Sequence, residues 1–380
     1  MDSDPSALLA LTKVDEGTLI LSGNNTYTGA TTINGGVLQI GNGSNTGTLG
    51  SHSDTFIASG AELRINRTDI FGYAYNGELT GSGTVNVVSG ARFDLATNNQ
   101  TESSNLSFNV NGTLALRDVA QVHLGELTGS GTIQRGGTGT NASTIVIGGK
   151  GTDSTFDGNI TVNNFSIEKT GDGTLTLTGD NDYGGTTTVN AGTLLINGNQ
   201  SDATGAVTVA SAATLGGIGT VGGATTISGT LSPGNSIGKI NFGNDLGLDA
   251  ASIFEWELNG ASTTGRGMNY DAVNVGGSLS GSDAIFRAVL TTGSFADAFW
   301  TVDRSWTDIF MNTDEDTSLS FASLFTSIEY WEGDTNVTAG IDTYGSFDIS
   351  GNTLTWTAIP EPSTALYGFL LSFGLLRRRC

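Results

Sequence analysis

The chain contains 380 residues, of which 57 are glycine and only 4 are proline, and its formal net charge at pH 7 is −22. Abundant glycine with so little proline excludes collagen and a disordered linker, and the acidic balance excludes a protein that tracks nucleic acid phosphates. Cys380 is the only cysteine, so no intramolecular disulfide forms and stability comes from burial and backbone pairing.

The first predicted element is an internal repeat. Residues 13–40 (KVDEGTLILSGNNTYTGATTINGGVLQI) align without gaps with residues 169–196 (KTGDGTLTLTGDNDYGGTTTVNAGTLLI) at an offset of 156, with fifteen identities in 28 positions. A shorter echo, GELTGSGT, occurs at residues 77–84 and again at residues 125–132. Such repeats indicate units that stack on one another, because one unit has too few apolar residues to enclose a core.

Each repeat predicts three short strands separated by corners rich in glycine and asparagine, where positive φ angles are tolerated. In the first repeat these strands are residues 18–21, 31–33 and 37–40, and the second repeat has their equivalents. The alternation of apolar and polar residues predicts which side chains point inward. We expect one continuous core to contain Leu19, Leu21, Leu38, Leu175, Leu177, Val189 and Leu194.

These blocks resemble the autotransporter-associated β-strand repeat of passenger-type surface proteins. The resemblance implies an all-β fold, a right-handed parallel β-helix or β-solenoid, over residues 1–240. Coils of roughly 22 residues suit such a solenoid. A β-sandwich is the competing fold, because it is also built from short strands and glycine-rich turns.

A change in composition follows Ser232–Ser236 and predicts a second region. Residues 241–358 are predicted to form a β-rich cap or the last coils, because an uncapped solenoid exposes strand edges. Within this region we expect a short helix over Ser318–Ile328. All five tryptophans lie here and are expected to fill the core of the cap: Trp256, Trp300, Trp306, Trp331 and Trp356.

Several sequence patterns that look like active-site motifs are better explained by the high glycine content of the chain. Ser236 lies in a Gly-x-Ser-x-Gly pattern, but a hydrolase elbow needs a histidine base after the serine, and His52 and His123 both precede it. Residues 217–222 match a dinucleotide fingerprint but lack the helix that would follow. Lys150 is not part of a phosphate-binding loop, because such a loop has serine or threonine directly after the lysine and this chain has Gly151 there. The sequence therefore predicts no cofactor.

The carboxylates that deserve the closest comparison with known sites are Glu255 and Glu257. They lie two residues apart on one face of a predicted strand, about 7 Å from each other, which falls within the range used by glycoside hydrolases. An acidic pair on the solvent face of an amphipathic strand is the ordinary alternative, and we expect no catalytic residue. The alternative is calcium at an acidic corner, such as Asp180 with Asp182 or residues 314–316, but no metal site is predicted.

The last predicted element is a tripartite tail over residues 359–380. The motif Pro360-Glu361-Pro362 precedes a largely apolar run from Ala365 to Leu376, and Arg377, Arg378 and Arg379 follow it. The tail resembles the PEP-CTERM sorting signal of Gram-negative bacteria. The resemblance implies export, transient anchoring in the inner membrane by a short C-terminal membrane helix, and processing by an exosortase at Pro360–Pro362. The arginines are expected to hold the end on the cytoplasmic side.

The N-terminal residues 1–5 (MDSDP) have neither the basic region nor the apolar core of a signal peptide. Because an exported protein needs such a segment, we expect that the chain was trimmed or that its gene model is truncated.

The predicted function is that of an exported, non-catalytic surface or extracellular-matrix protein with a structural or adhesive role, associated with extracellular polysaccharide. The alternative is a β-helix polysaccharide lyase or hydrolase. Such enzymes line one face with basic residues, whereas Arg64, Arg67, Arg92, Arg117 and Arg135 are scattered. A third hypothesis is the passenger of a type V autotransporter. Neighbouring exosortase and polysaccharide genes would favour the first hypothesis.

Overall fold

The structure is a computed structural model that describes residues 9–50, 54–68, 74–96, 105–137, 141–161, 164–260 and 262–359. This part of the chain contains no α-helix, and its helical segments are short 3₁₀ turns such as Ala298–Thr301 and Thr338–Thr343. Almost all of the regular structure is short β-strand. The all-β prediction is therefore confirmed.

The strands in the first half of the chain are mostly three to six residues long. In chain order they are β1 (Leu11–Lys13), β2 (Thr18–Leu21), β3 (Thr31–Ile33), β4 (Val37–Ser44), β5 (Thr55–Ile57), β6 (Glu62–Arg67), β7 (Ala74–Tyr75), β8 (Leu79–Gly81), β9 (Thr84–Val87), β10 (Arg92–Leu95), β11 (Ser107–Val110), β12 (Thr113–Leu116), β13 (Gln121–Leu124), β14 (Glu126–Thr128), β15 (Thr132–Arg135), β16 (Ser143–Ile147), β17 (Ser154–Phe156), β18 (Asn159–Ile160) and β19 (Phe165–Lys169).

The second half begins with similar short strands and ends with longer ones. They are β20 (Thr174–Leu177), β21 (Thr187–Val189), β22 (Gly192–Ile196), β23 (Asn199–Gln200), β24 (Val207–Val209), β25 (Ala213–Gly217), β26 (Thr220–Val221), β27 (Thr225–Ile227), β28 (Thr230–Pro233), β29 (Lys239–Phe242), β30 (Leu246–Leu248), β31 (Ile253–Asn259), β32 (Ala272–Val275), β33 (Leu279–Gly281), β34 (Ala284–Thr292), β35 (Arg304–Trp306), β36 (Phe310–Asn312), β37 (Phe325–Glu332), β38 (Thr335–Asn336), β39 (Gly345–Ser350) and β40 (Thr353–Ala358).

These strands form a parallel β-solenoid with three sides. The first side contains the sheets β2-β4-β6-β9-β11-β14 and β17-β20-β22-β25-β28-β31-β34-β37. The second contains β7-β10-β12-β15-β18 and β23-β26-β29-β32-β36, and the third contains β1-β3-β5-β8 and β13-β16-β19-β21-β24-β27-β30-β33. Because the pairing along all three sides is parallel, the competing β-sandwich is excluded.

Paired residues on neighbouring coils show the length of a coil. Thr31 pairs with Thr55, a step of 24 residues, whereas Ser107 pairs with Glu126, a step of 19. The expected coil of roughly 22 residues lies within this range. In each strand, alternate side chains point into the shared interior, which contains the leucine, isoleucine, valine and phenylalanine side chains of successive coils.

The two sequence repeats adopt the same structure. β1 to β4 and β19 to β22 occupy equivalent places on the third and first sides, so all three strands predicted for each repeat are confirmed. The glycine that both repeats have at their last corner, Gly36 and Gly192, has a φ of 63° in each. A Cβ atom at Gly192 would lie 2.5 Å from the carbonyl oxygens of Gly171 and Gly173, so only glycine fits there.

A buried lysine closes an earlier corner in both repeats, which the sequence did not predict. The Lys169 ammonium donates hydrogen bonds to the carbonyl oxygens of Thr170 (2.9 Å), Gly171 (2.8 Å) and Ala191 (3.1 Å). Its equivalent, Lys13, donates to three carbonyl oxygens in the same way. The shared lysine therefore compensates backbone carbonyls that the turn leaves without strand partners.

The core prediction is confirmed for five of its seven residues. Leu38, Leu175, Leu177, Val189 and Leu194 are buried. Leu21 is half-buried and packs against the same core, so its inward direction is as predicted. Leu19 is 36% exposed, and its prediction as a core residue was wrong. Both lie on β2, which pairs only with β4 among the described strands, so no described coil covers its other edge.

The C-terminal region closes the solenoid with a different kind of sheet. β35, β40 and β39 form an antiparallel sheet, and β38 folds back on β37. Four tryptophans, Trp256, Trp300, Trp306 and Trp356, are buried together there, whereas Trp331 is only partly buried. Ser318–Ile328 forms no helix. This segment contains a turn with buried Phe321 and Leu324 and then enters β37, whose pairing with β34 determines its conformation.

Candidate functional site

A groove runs along the outer surface of the first side, and we call it the outer groove. It consists of two joined depressions of about 370 and 410 Å³ that share Ser236, Glu255 and Glu257 in their walls. It crosses the strands from β20 to β37. Its main lining residues are Thr174, Thr193, Thr214, Ser232, Ser236, Glu255, Glu257, Arg287 and Trp331.

The sequence of β31 explains how the two carboxylates reach the groove. Phe254, Trp256 and Leu258 alternate along the strand and are buried in the solenoid. Because successive side chains of a strand point to opposite faces, Glu255 and Glu257 point outward. The predicted orientation of this pair is confirmed.

A chain of polar contacts that includes Glu255 connects four neighbouring strands, β28, β31, β34 and β37. Its carboxylate accepts a hydrogen bond from the Ser232 hydroxyl (3.2 Å) and forms an ion pair with Arg287 (3.4 Å). Arg287 also pairs with Glu329 at 2.9 Å, and its guanidinium lies 4.8 Å from the centre of the Trp331 ring. Because the Trp331 Nε1–H donates to Glu329 as well, the indole is held as a fixed wall of the groove.

Glu257 has a different environment from Glu255. Burial and, second, the negative charge of Glu255 raise the pKa of Glu257, whereas a hydrogen bond from Ser236 lowers it. Ser236 therefore lies beside the acidic pair, although its own motif carried no catalytic prediction. In sequence it is about one coil away from Glu257, and the pairing of β28 with β31 brings the loop after β28 close to that residue.

A buried aspartate, Asp271, supports the groove from behind and was missed by the sequence reasoning. Its carboxylate accepts hydrogen bonds from the backbone N–H groups of Gly238 (2.7 Å) and Glu257 (2.9 Å). Burial raises the pKa of Asp271 well above its usual range, although the two N–H donors act in the opposite direction. The aspartate thus ties the loop that carries Ser236 to the strand that carries Glu257.

The other apparent motifs are parts of ordinary coils. Residues 217–222 contain the end of β25 and all of β26, and no α-helix follows them in the described residues. The Lys150 ammonium donates to the Ser107 hydroxyl at 2.6 Å and pairs with Glu126. Neither segment has the helix N-terminus that would bind a phosphate.

The acidic corners considered for calcium have partners of their own. Asp180 accepts a hydrogen bond from the backbone N–H of Asn199 (3.0 Å), and Asp316 accepts one from the Asn312 amide (2.6 Å). Glu315 pairs with Lys239 and Arg266. Among the described residues, no group of three or more histidine, cysteine, aspartate or glutamate side chains is placed to hold a metal ion.

The five arginines considered for an acidic polysaccharide each have a local structural role. Arg92 and Arg117 both pair with Asp94 at 2.6 Å, and Arg64 pairs with Glu62. Arg67 and Arg135 donate to backbone carbonyl oxygens of nearby loops. Of these contacts, those of Arg67 and Arg117 join neighbouring coils, whereas those of Arg64, Arg92 and Arg135 lie within one coil, and the five arginines do not assemble a basic face.

The predicted sorting residues, Pro360, Glu361, Pro362, Arg377, Arg378 and Arg379, lie outside the described residues. The same holds for the predicted C-terminal membrane helix. In the portion of the chain that the structure describes, no helix has both the length and the apolar character needed to cross a membrane.

Two comparisons with known proteins concern the repeats. The family model of the passenger-associated-transport-repeat matches residues 11–40 and 167–196, which are the two aligned repeats. An adhesin from Brucella suis biovar 1 (strain 1330), the BmaC autotransporter, is 48% identical over 73 residues. This match covers 19% of the chain and 2% of the adhesin, so the chain spans only a small part of that relative's length. The predicted autotransporter-associated repeat is thereby confirmed.

Proposed function

We propose that this protein is an exported, non-catalytic surface or extracellular-matrix protein with a structural or adhesive role. The observation that carries the proposal is a β-solenoid built from passenger-associated-transport repeats. Its apolar side chains face inward, and its long sides present threonine, serine and asparagine to solvent. The similarity to part of an adhesin supports the adhesive role.

The C-terminal tail supports a route to the cell envelope or the extracellular space. Residues 365–376 would form a helix of roughly 18 Å, shorter than the hydrocarbon core of about 30 Å. A span this short suits transient anchoring in the inner membrane, and the three arginines hold its end on the cytoplasmic side. An exosortase-type enzyme then cuts near Pro360–Pro362, and Cys380 is removed with the tail.

Intact mass spectrometry of protein recovered from the native host tests the sorting signal. The mature protein should end near Pro362, and exchange of Pro360 and Pro362 for alanine should leave an uncut, membrane-retained form. Recovery of the complete tail from the extracellular fraction would contradict processing at this motif. Exchange of Pro233 for alanine, far from the tail, serves as the control.

The adhesive role is tested by deleting the gene in the native host. Cells without the protein should lose attachment or aggregation, and the chain with its own tail should restore it. A chain that lacks residues 359–380 should be made without restoring the phenotype. Normal attachment in the deletion strain would contradict the proposal.

One observation favours a second candidate function, a β-solenoid polysaccharide hydrolase. Glu257 has a raised pKa and lies beside Glu255, which is paired with Arg287. Two carboxylates with different environments, at a spacing of about 7 Å, are the arrangement that inverting glycosidases use for general acid and general base. Reducing-end assays on neutral, amine-bearing and acidic polysaccharides decide between the candidates. Turnover that Glu257→Gln abolishes would favour the hydrolase.

A further inference from the structure

We propose that the outer groove binds an extended, amine-bearing polysaccharide along the axis of the solenoid. This inference deepens the proposed surface role and rests on it, because it names the class of matrix polymer that the protein contacts. The groove has the shape, the hydroxyl and aromatic walls, and the negative charge that suit such a polymer.

The shape of the groove suits a polymer. It extends from Thr174 on β20 to Trp331 on β37 and crosses seven neighbouring strands of one sheet. At about 4.8 Å per strand, its length is roughly 29 Å. Since both depressions include Ser236, Glu255 and Glu257, a single chain can occupy them without leaving the surface.

The two ends of the groove offer the groups that sugars contact. At one end, Thr174, Thr193 and Thr214 stand side by side, because β20, β22 and β25 pair in register. Their hydroxyls both donate and accept hydrogen bonds, as sugar hydroxyls do. At the other end, Trp331 supplies an aromatic wall whose orientation Arg287 and Glu329 already fix. Such a preordered wall packs against sugar rings at little cost in side-chain entropy.

Charge decides which class of sugar fits. Arg287 is paired with both Glu255 and Glu329, and Glu257 and the exposed Asp334 line the same depression, so carboxylates outnumber the cation there. A uronic acid or a sulfated sugar would bring more negative charge to this surface and be repelled. Ammonium groups on successive hexosamine units would instead be attracted to the carboxylates.

Titration calorimetry on the purified chain tests the proposal with three probes of equal length. A glucosamine hexasaccharide should bind most tightly, its N-acetylated form at least tenfold more weakly, and a galacturonic acid hexasaccharide not measurably. Equal affinity for the acidic probe, or no binding of the glucosamine probe, would overturn the proposal. Because purified protein is used, failure here leaves the export and attachment tests untouched.

Matched variants locate the binding. Thr193→Arg places bulk and positive charge in the groove and should weaken glucosamine binding at least tenfold. Thr208→Arg makes the same change on the exposed outer surface of β24, on the third side, and should leave binding unchanged. Trp331→Ala should also weaken binding. If Thr193→Arg binds as the parent chain does while remaining folded by circular dichroism, the groove is not the site.

Discussion

The two repeats share fifteen of 28 residues and the same strand arrangement, yet they differ in burial. Leu175 in the second repeat is 1% exposed, whereas its equivalent Leu19 is 36% exposed. Leu177 is fully buried, and its equivalent Leu21 is only partly so. The second repeat lies between other coils, but the first lies at an end of the described solenoid. The repeat sequence therefore determines the direction in which a side chain points, whereas the neighbouring coil determines how deeply that side chain is buried.

The largest expected difference concerns the leucines. Leu177→Ala should lower the free energy of unfolding by about 2–5 kcal/mol, because it leaves a cavity inside the stack. Leu21→Ala should cost less than about 1.5 kcal/mol, because part of that side chain already contacts water. Urea unfolding of both variants measures the difference. Equal losses of unfolding free energy would contradict the prediction, because they would mean that Leu21 is as well covered as Leu177.

The buried Lys169 gives the second prediction. Burial lowers its pKa from 10.5 to about 8, although the charges of Asp172 and Asp153 act in the opposite direction. Between these two values the unfolded chain binds more protons than the folded chain, so stability should rise with pH across this window. Between pH 8 and pH 10.5, the free energy of unfolding of the parent chain should increase by about 1–3 kcal/mol relative to that of Lys169→Met.

Thermal unfolding of the parent chain and of Lys169→Met at several pH values checks the second prediction. The difference in stability between the two chains should be constant below pH 8 and should change in favour of the parent above it. A difference that does not depend on pH would contradict the lowered pKa of Lys169.

The third prediction uses the asparagine that both repeats have at the first corner. The Asn181 side chain is buried and accepts a hydrogen bond from the Ile160 N–H at 2.7 Å. Asn181→Ala should therefore cost about 1–3 kcal/mol, because that N–H loses its partner inside the protein. Asn25→Ala should cost less, since Asn25 is partly exposed and water can replace it. Hydrogen exchange at Ile160 that stays unchanged in Asn181→Ala would contradict this.

The smallest expected difference concerns the repeat tyrosines. The hydroxyl groups of Tyr183 and Tyr27 each lie 2.7 Å from a threonine hydroxyl, Thr187 and Thr31 respectively. Tyr183 is buried, so Tyr183→Phe should cost about 1 kcal/mol, and Tyr27→Phe should cost less. Burial also raises the pKa of Tyr183 to about 12, so its ultraviolet titration should lag behind that of exposed tyrosines. Thermal unfolding measures the stability of both variants. Equal unfolding midpoints for Tyr183→Phe and Tyr27→Phe would contradict the expected difference.

The strands and their inward faces were predictable because alternation and corner glycines are local properties of the sequence. The exposure of Leu19 was not, since it depends on which coil lies next to β2. The helix expected over Ser318–Ile328 was wrong because pairing of β37 with β34 overrides local propensity. Both predictions were wrong for the same reason: the burial of Leu19 and the conformation of Ser318–Ile328 depend on contacts between residues that are distant along the chain.

Only part of the candidate site was predictable for the same reason. The outward direction of Glu255 and Glu257 follows from the alternation within β31. The meeting of Glu255 with Arg287 depends on the register between β31 and β34, across a connection that is longer than the usual coil. The sequence did contain one signal for this register. Residues 285–290 (IFRAVL) repeat the apolar pattern of residues 253–258 (IFEWEL), and aligning the two segments places Arg287 opposite Glu255.

The aromatic cap makes the two ends of the rod mechanically unequal. A pulling force applied through the chain ends should detach the first coil before it disturbs the end where Trp256, Trp300 and Trp356 pack together. A coil of 19 to 24 residues, as between β11 and β14 or between β3 and β5, would then lengthen the tether by roughly 65–85 Å when it is released. Under shear, we expect such a solenoid to lengthen one coil at a time and to keep the end that contains the buried tryptophans folded the longest.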